Sequence, residues 1–265
     1  MIAQQRASAG PELSVEHIAV RFGGLVAIAD LHFSIAPREI VALIGANGAG
    51  KTTAFNVITG FQRPTSGRVE HRGEALTGLR PHQIASRGVA RTFQRTSVFP
   101  NHTVLDNALI GLHRKGRATL WDTLLTLPRA KAEERRLRDR AMEVLDVVGI
   151  AGRAADLGGS LPYGDQRLLG VALALASDPS MLLLDEPVSG MNASEKSTFM
   201  KLLDRLRASG MTLLLVEHDM RMVMGISDRV VVLNQGHVIA NGAPSEIQRH
   251  PGVIRAYLGR SASRA

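Results

Sequence analysis

The stretch Ile40-Val41-Ala42-Leu43-Ile44-Gly45-Ala46-Asn47-Gly48-Ala49-Gly50-Lys51-Thr52-Thr53 organises this chain. Five apolar residues read as a buried parallel strand, run directly into Gly-x-x-x-x-Gly-Lys-Thr, and are followed by a helical pattern. Gly45, Gly48 and Gly50 let the backbone turn its N–H groups inward, so that successive amides and the positive end of the next helix converge on one phosphate. Lys51 adds a full charge for the β- and γ-phosphates. The Thr52 hydroxyl is a hard oxygen donor suited to Mg²⁺. With Ala46, Asn47, Ala49 and Thr53 completing the cradle, the segment predicts a nucleotide site. A glycine-rich turn that happened to precede a lysine would not need the buried strand ahead of it.

Upstream, Leu13 to Val20 and Leu25 to Ile35 read as strands of a small antiparallel layer, separated by Phe22-Gly23-Gly24. Downstream, the loop helix runs from Lys51 to about Thr59, where Gly60 ends it. A short strand is expected at Arg68 to His71, a helical turn at Pro81 to Ser86, and a strand at Val89 to Phe93. From Ser97 the period becomes helical. Thr103 with Asp106 has the form of a capping box, and a long helix near Arg129 to Val148 carries Leu137, Ala141, Val144, Leu145 and Val148 on one face. Strand period returns at Met181 to Leu184 and at Thr212 to Val216, with helices between. The core is therefore α/β with a parallel sheet. Val230 to Leu233 and His237 to Ala240 form a closing hairpin, and Pro244 to Leu258 reads as two short helices.

Composition narrows the classes. The 265 residues are 45 % hydrophobic, enough for one large domain or two modest ones. No apolar run approaches the ~18 residues of a membrane span. Met1 to Gly10 lacks the apolar centre of a secretory signal, so a cytosolic location is expected. Zero cysteines exclude disulfides, thiol catalysis and zinc–thiolate sites. The net charge of +8 is uneven, since Arg114 to Arg140 holds nine Lys or Arg against four acids. That segment reads as a solvated helix face, or as a face turned toward lipid headgroups or a membrane partner. Nucleic acid fits less well, because there is little aromatic interleaving, Trp121 being the one aromatic residue among the charges.

Met181-Leu182-Leu183-Leu184-Asp185-Glu186-Pro187 is a second buried strand, ending in two carboxylates. In a parallel sheet the C-terminal strand ends line the ligand crevice, so Asp185 and Glu186 should meet the phosphates held by the loop. Asp185 is suited to hold Mg²⁺ through water, and Glu186 to polarise an attacking water. An Asp-Glu pair alone is more often a turn or a helix cap. Alongside the glycine loop the catalytic reading is favoured.

Further motifs carry a family resemblance. Phe22 stands before the loop, Gln94 after a strand, Leu161-Pro162-Tyr163-Gly164-Asp165-Gln166-Arg167 ahead of the acidic strand, and Glu217-His218-Asp219 after the next strand. In order and spacing, residues 13 to 242 resemble an ATP-binding cassette ATPase. Arg21-Phe22-Gly23-Gly24-Leu25, Arg91-Thr92-Phe93-Gln94, Met224 to Arg229 and the tail Val253 to Gly259 resemble the LivG-type subunit of branched-chain amino acid importers.

The resemblance implies a P-loop NTPase, RecA-like, with a parallel sheet, an N-terminal antiparallel β layer and an inserted helical subdomain. It implies ATP and Mg²⁺, with Phe22 stacking on adenine, Gln94 sensing Mg²⁺ and the γ-phosphate, and His218 contacting the γ-phosphate and the attacking water. Tyr163, Gly164 and Asp165 would belong to a signature loop whose amides face the γ-phosphate of an opposite subunit. Asn192, where many relatives carry aspartate, would face that dimer partner, and with Glu195 it also reads as a helix N-cap. Pro162 replaces the usual serine and removes a hydroxyl. Leu168-Leu169-Gly170 and Leu173 replace a more polar run.

The expected division is 13–96 with 166–242 as nucleotide-binding core, 97–165 as helical subdomain and 243–265 as C-terminal tail. Expected partners are a second cassette, identical or a paralogue, two permease subunits and, indirectly, a periplasmic solute-binding protein, with no nucleic acid. The expected location is the cytoplasmic face of the inner membrane. Val98-Phe99-Pro100 reads either as a permease contact or as core of the insert. A soluble cassette ATPase acting on nucleic acid or ribosomes is the alternative, and a small-molecule phosphate-loop kinase a more distant one.

Overall fold

The computed structural model describes residues 10–92, 98–112 and 128–258. In chain order the strands are β1 (Leu13–Phe22), β2 (Leu25–Ile35), β3 (Ile40–Gly45), β4 (Ser66–His71), β5 (Glu74–Ala75), β6 (Val89–Arg91), β7 (Met181–Asp185), β8 (Thr212–Val216), β9 (Arg229–Asn234) and β10 (His237–Gly242). The helices are α1 (Lys51–Ile58), α2 (Pro81–Ser86), α3 (Val104–Leu112), α4 (Pro128–Val148), α5 (Tyr163–Leu175), α6 (Ala193–Ala208), α7 (Met220–Ile226), α8 (Pro244–Arg249) and α9 (Pro251–Leu258). None of the described helices is long and apolar enough to cross a membrane.

The chain divides into two compact units, one of Met1–Arg91, Ser180–Glu186 and Leu203–Ala265, the other of Thr92–Pro179 and Pro187–Leu202. The first holds a ten-stranded sheet in the order β5-β4-β1-β2-β10-β9-β3-β8-β7-β6. Strands β6, β7, β8, β3 and β9 run parallel, whereas β5, β4, β1 and β2 form the antiparallel layer. The two regions join where β10 pairs with β2 at His237↔Asp30. Residues 40–44, 181–184, 213–216 and 230–233 are all buried, as continuous apolar strands covered on both faces must be. Phe55 and Ile58 of α1 sit with Ile18, Ile28 and Leu31 in the same core. The glycine loop is thus held between a fully buried strand and a helix whose apolar face is anchored.

At one edge of this unit Glu12, 3 % exposed, accepts hydrogen bonds from His71 Nε2 (3.1 Å) and Arg72 Nε (3.0 Å). Burial pushes its carboxyl upward, but the bonds from His71, Arg72 and Ser180 and the Arg72 charge outweigh it and hold the pKa down at about 2.

In the second unit α3, α4 and α5 pack through Val104, Ala108 and Leu112, Ala141, Val144, Leu145 and Val148, and Leu169, Val171, Ala172 and Leu175. The Thr103–Asp106 capping box is formed, the Asp106 amide donating to Thr103 Oγ1 (3.0 Å) and the Thr103 amide to Asp106 Oδ2 (3.3 Å). This unit takes in α5 as well as 187–202, a wider helical region than 97–165. Packing accounts for two of the apolar residues that follow Pro162 in place of the expected more polar run. Leu169 is fully buried, and Leu173 lies against Gly111 of α3, where an added Cβ would come within 3.3 Å of it. Of the basic segment, Arg135, Arg136 and Arg138 are exposed on α4, and Arg114, Lys115 and Arg117 lie outside the described residues.

Candidate functional site

The loop's chemistry follows from the backbone that carries it. Gly50 caps α1 in the left-handed conformation (φ 109°), and no side chain caps the helix. The first-turn amides of α1 are accordingly not claimed by a capping side chain, which suits an anion. Gly48 is also left-handed (φ 80°). At Gly45 the demand is space, because an added Cβ would lie 2.2 Å from the Leu233 carbonyl oxygen. From the β9–β10 turn the Gly236 amide donates to Ala49 O (3.0 Å), bracing the loop from outside.

Lys51 is 6 % exposed and donates to Gly45 O (2.7 Å) and Ala46 O (3.1 Å), which holds its ammonium on the loop. Desolvation pushes its pKa below the ordinary lysine value, and the charges of Glu186 and Asp185 partly offset that shift. The lysine therefore lies in the field of both carboxylates, as the strand-end placement required.

Asp185 is 2 % exposed, and Arg91 NH2 donates to its Oδ2 at 2.7 Å. The same guanidinium donates to Asn56 Oδ1 (2.7 Å) and lies over the Phe55 ring at 5.5 Å. Sequence reasoning quoted Arg91 within a motif but gave it no role. Its signal was a lone cation closing the apolar pair Val89-Ala90. Thr52 is exposed at the start of α1. The Thr52 hydroxyl and the Asp185 carboxylate each offer oxygen donors, the type a hard cation such as Mg²⁺ accepts.

Glu186 has a positive φ of 47° although it is neither Gly nor Asn, and it precedes a proline. Such a backbone costs on the order of 1–3 kcal/mol and persists where its surroundings impose it. Here the Glu186 amide donates to Val216 O (2.8 Å), locking the residue to the end of β8. Its Oε1 lies 2.8 Å from His218 Nε2, and the His218 amide is held by Glu217 Oε2 (3.0 Å). Both side chains remain accessible, at 30 % and 45 %. A carboxylate oriented by a histidine and open to water has the geometry a general base needs.

The structure thus brings the Gly45–Thr53 loop, Asp185, Glu186 and His218 into the first unit. Phe22 is in the same unit, 48 % exposed beside the Gly23-Gly24 turn of the β1–β2 hairpin. Gln94 lies outside the described residues. The second unit holds Tyr163, Gly164, Asp165 and Asn192. Pro162 caps α5 without a side-chain bond, leaving only the backbone there. Tyr163 is 44 % exposed, and its hydroxyl accepts from Arg167 Nε (3.0 Å). Asp165 pairs with Arg153 at 2.8 Å. The Asn192–Glu195 capping box is formed, the Glu195 amide donating to Asn192 Oδ1 (3.0 Å) and the Asn192 amide to Glu195 Oε2 (2.8 Å). Glu195 Oε1 also lies 2.7 Å from where a Cβ on Gly164 would stand, which brings the Asn192–Glu195 turn against the start of α5.

A phosphate-binding loop between a parallel strand and a helix, facing an Asp-Glu strand end, defines a phosphate-loop nucleoside triphosphatase. The ABC transporter family model matches residues 28–189, and a model described as branched-chain amino acid ATP-binding cassette transporter matches 237–263. The chain belongs to the ABC transporter family, among its ATP-hydrolysing, LivG-type subunits. It is 44 % identical to the high-affinity branched-chain amino acid transport ATP-binding protein LivG of Escherichia coli K12, over 95 % of this chain and 99 % of that protein. It is 40 % identical to BraF of Pseudomonas aeruginosa, with the same coverage. Among solved structures, the ADP conformation of an ATP-binding cassette of an ABC transporter matches with a TM-score of 0.83 at 28 % identity, covering 94 % of this chain and 99 % of that one.

Proposed function

We propose that this chain is the peripheral ATPase subunit of an importer of branched-chain or related amino acids, at the cytoplasmic face of the inner membrane. It would act with permease subunits, a second cassette and, indirectly, a periplasmic solute-binding protein. The observation that carries the reading is the Glu186–His218 pair, 2.8 Å apart, at strand ends beside Lys51.

The Gly45–Thr53 amides and Lys51 hold the triphosphate. Phe22 receives the adenine; Thr52, Asp185 and Gln94 would hold Mg²⁺, which when bound would neutralise charge on the phosphates. Glu186 accepts the proton of a water attacking the γ-phosphorus, while His218 orients that carboxylate and contacts the γ-phosphate. ADP leaves with its bond to the γ-phosphorus broken. Tyr163, Gly164, Asp165 and Asn192 complete the site on an opposing cassette, so ATP favours the closed pair and loss of phosphate releases it. The exposed Phe99, in a loop held by Asn107 (Phe99 amide to Oδ1, 2.8 Å), supports a permease contact there.

The test is reconstitution of the chain with its co-purifying membrane subunits in liposomes, measuring ATP-driven uptake of labelled leucine, isoleucine and valine. Uptake that needs ATP on the side of this chain and is lost in Glu186→Gln supports the reading. ATP hydrolysis with no membrane subunit recovered and no uptake overturns it.

A further inference from the structure

We propose that His17, Asp30 and His32, on the antiparallel layer, form a binding site for a divalent metal of the zinc class. His17 Nδ1 lies 3.0 Å from Asp30 Oδ1, and His32 Nδ1 3.2 Å from Asp30 Oδ2. The three ligand atoms all fall within 4.8 Å of one another. A tetrahedral zinc ion with bonds of about 2.0–2.1 Å has ligand-to-ligand edges of roughly 3.3 Å. Each histidine already meets the carboxylate at about that spacing, one through Oδ1 and the other through Oδ2, and a turn of the carboxylate would bring one oxygen to both. Rotation of exposed side chains closes the third edge.

The backbone delivers these groups. Asp30 and His32 are two apart on β2 and share a face. His17 reaches them through a bulge, since the β1–β2 register passes from Val15↔Phe33 to Ile18↔Leu31, one extra residue on β1. His17 takes up that residue with φ 46°. The two imidazole rings then stand 5.2 Å apart. On the neighbouring strand Gly67 accommodates the bulge, because a Cβ there would lie 2.4 Å from His17 O.

Two imidazoles and one carboxylate select Zn²⁺, Ni²⁺ or Cu²⁺ over Mg²⁺ or Ca²⁺, and three protein ligands leave the fourth position to water. A bound ion would cross-link β1 to β2. These side chains belong to no part of the nucleotide site.

The test uses the untagged full chain, stripped with chelator and titrated with zinc chloride by calorimetry and thermal unfolding. One equivalent should bind and raise Tm by about 2–4 °C at saturation. His17→Ala and His32→Ala should each weaken binding at least ~10-fold, as loss of one of three ligands does. Their combination should remove the high-affinity equivalent while leaving the circular dichroism spectrum and zinc-free ATP turnover unchanged. A double variant that binds zinc with wild-type stoichiometry and affinity overturns the proposal.

Discussion

Replacing Arg91 by methionine removes the guanidinium that meets Asp185 at 2.7 Å and Asn56 at 2.7 Å. The paired side chains are 8 % and 1 % exposed, so water cannot substitute for the lost cation. Breaking a buried pair from one side costs about 3–5 kcal/mol, because a charge is left without its partner. Methionine keeps apolar contact with Phe55, and Asp185 keeps further partners, so the lower end, about 3 kcal/mol, is expected. For a chain of this size that lowers Tm by roughly 6–12 °C in calorimetry without nucleotide. Adding Asp185→Asn should recover at least half of the loss, since the stranded charge is gone. A single variant within about 1 kcal/mol of wild type, or a double variant worse than the sum of the singles, would refute this account of Arg91.

Other perturbations test the rest of the first unit. Glu12 has its folded pKa depressed from 4.5 to about 2, so its contribution is present above pH ~4.5 and is lost as pH falls toward 2. Glu12→Gln should therefore flatten the acid limb of the stability profile by about 2–3 kcal/mol, and an unchanged slope in urea melts between pH 5 and 2.5 would contradict it. Gly45→Ala would press a Cβ into the Leu233 carbonyl at 2.2 Å, displacing the loop and lowering fluorescent-ATP affinity at least ~10-fold. Wild-type affinity in that variant would show the approach is not needed. Gly190→Ala meets Tyr163 Cε1 at 2.8 Å at a φ of 81°, and a melt should show a loss of about 1–3 kcal/mol. No loss would mean that Tyr163 swings away freely.

Much of this was legible in the residues because the decisive signals are local. The glycine loop, the apolar strands 40–44, 181–184 and 213–216 and both capping boxes need only their own neighbours, and each stands where the pattern put it. The family resemblance carried ATP. Less legible was what depends on distant partners. The two-residue β5 exists only because β4 offers an edge. The order that seats β10 between β2 and β9 leaves no periodicity. Strands 229–234 and 237–242 extend past the apolar residues at their ends because backbone pairing, not burial, continues them. Arg91 of β6 meets Asp185 of β7 across 94 positions of sequence and Asn56 of α1 across 35. The positive φ of Glu186 is likewise imposed by β8, not by its own neighbours.

The site's central claim is that Glu186 takes the proton from the attacking water. Steady-state ATP turnover of Glu186→Gln, with nucleotide affinity measured in parallel, tests it most directly. Loss of at least ~10²-fold in turnover with affinity unchanged is predicted, since glutamine keeps the reach to His218 and loses only the base. Turnover within a few-fold of wild type would contradict it and move the base to another residue.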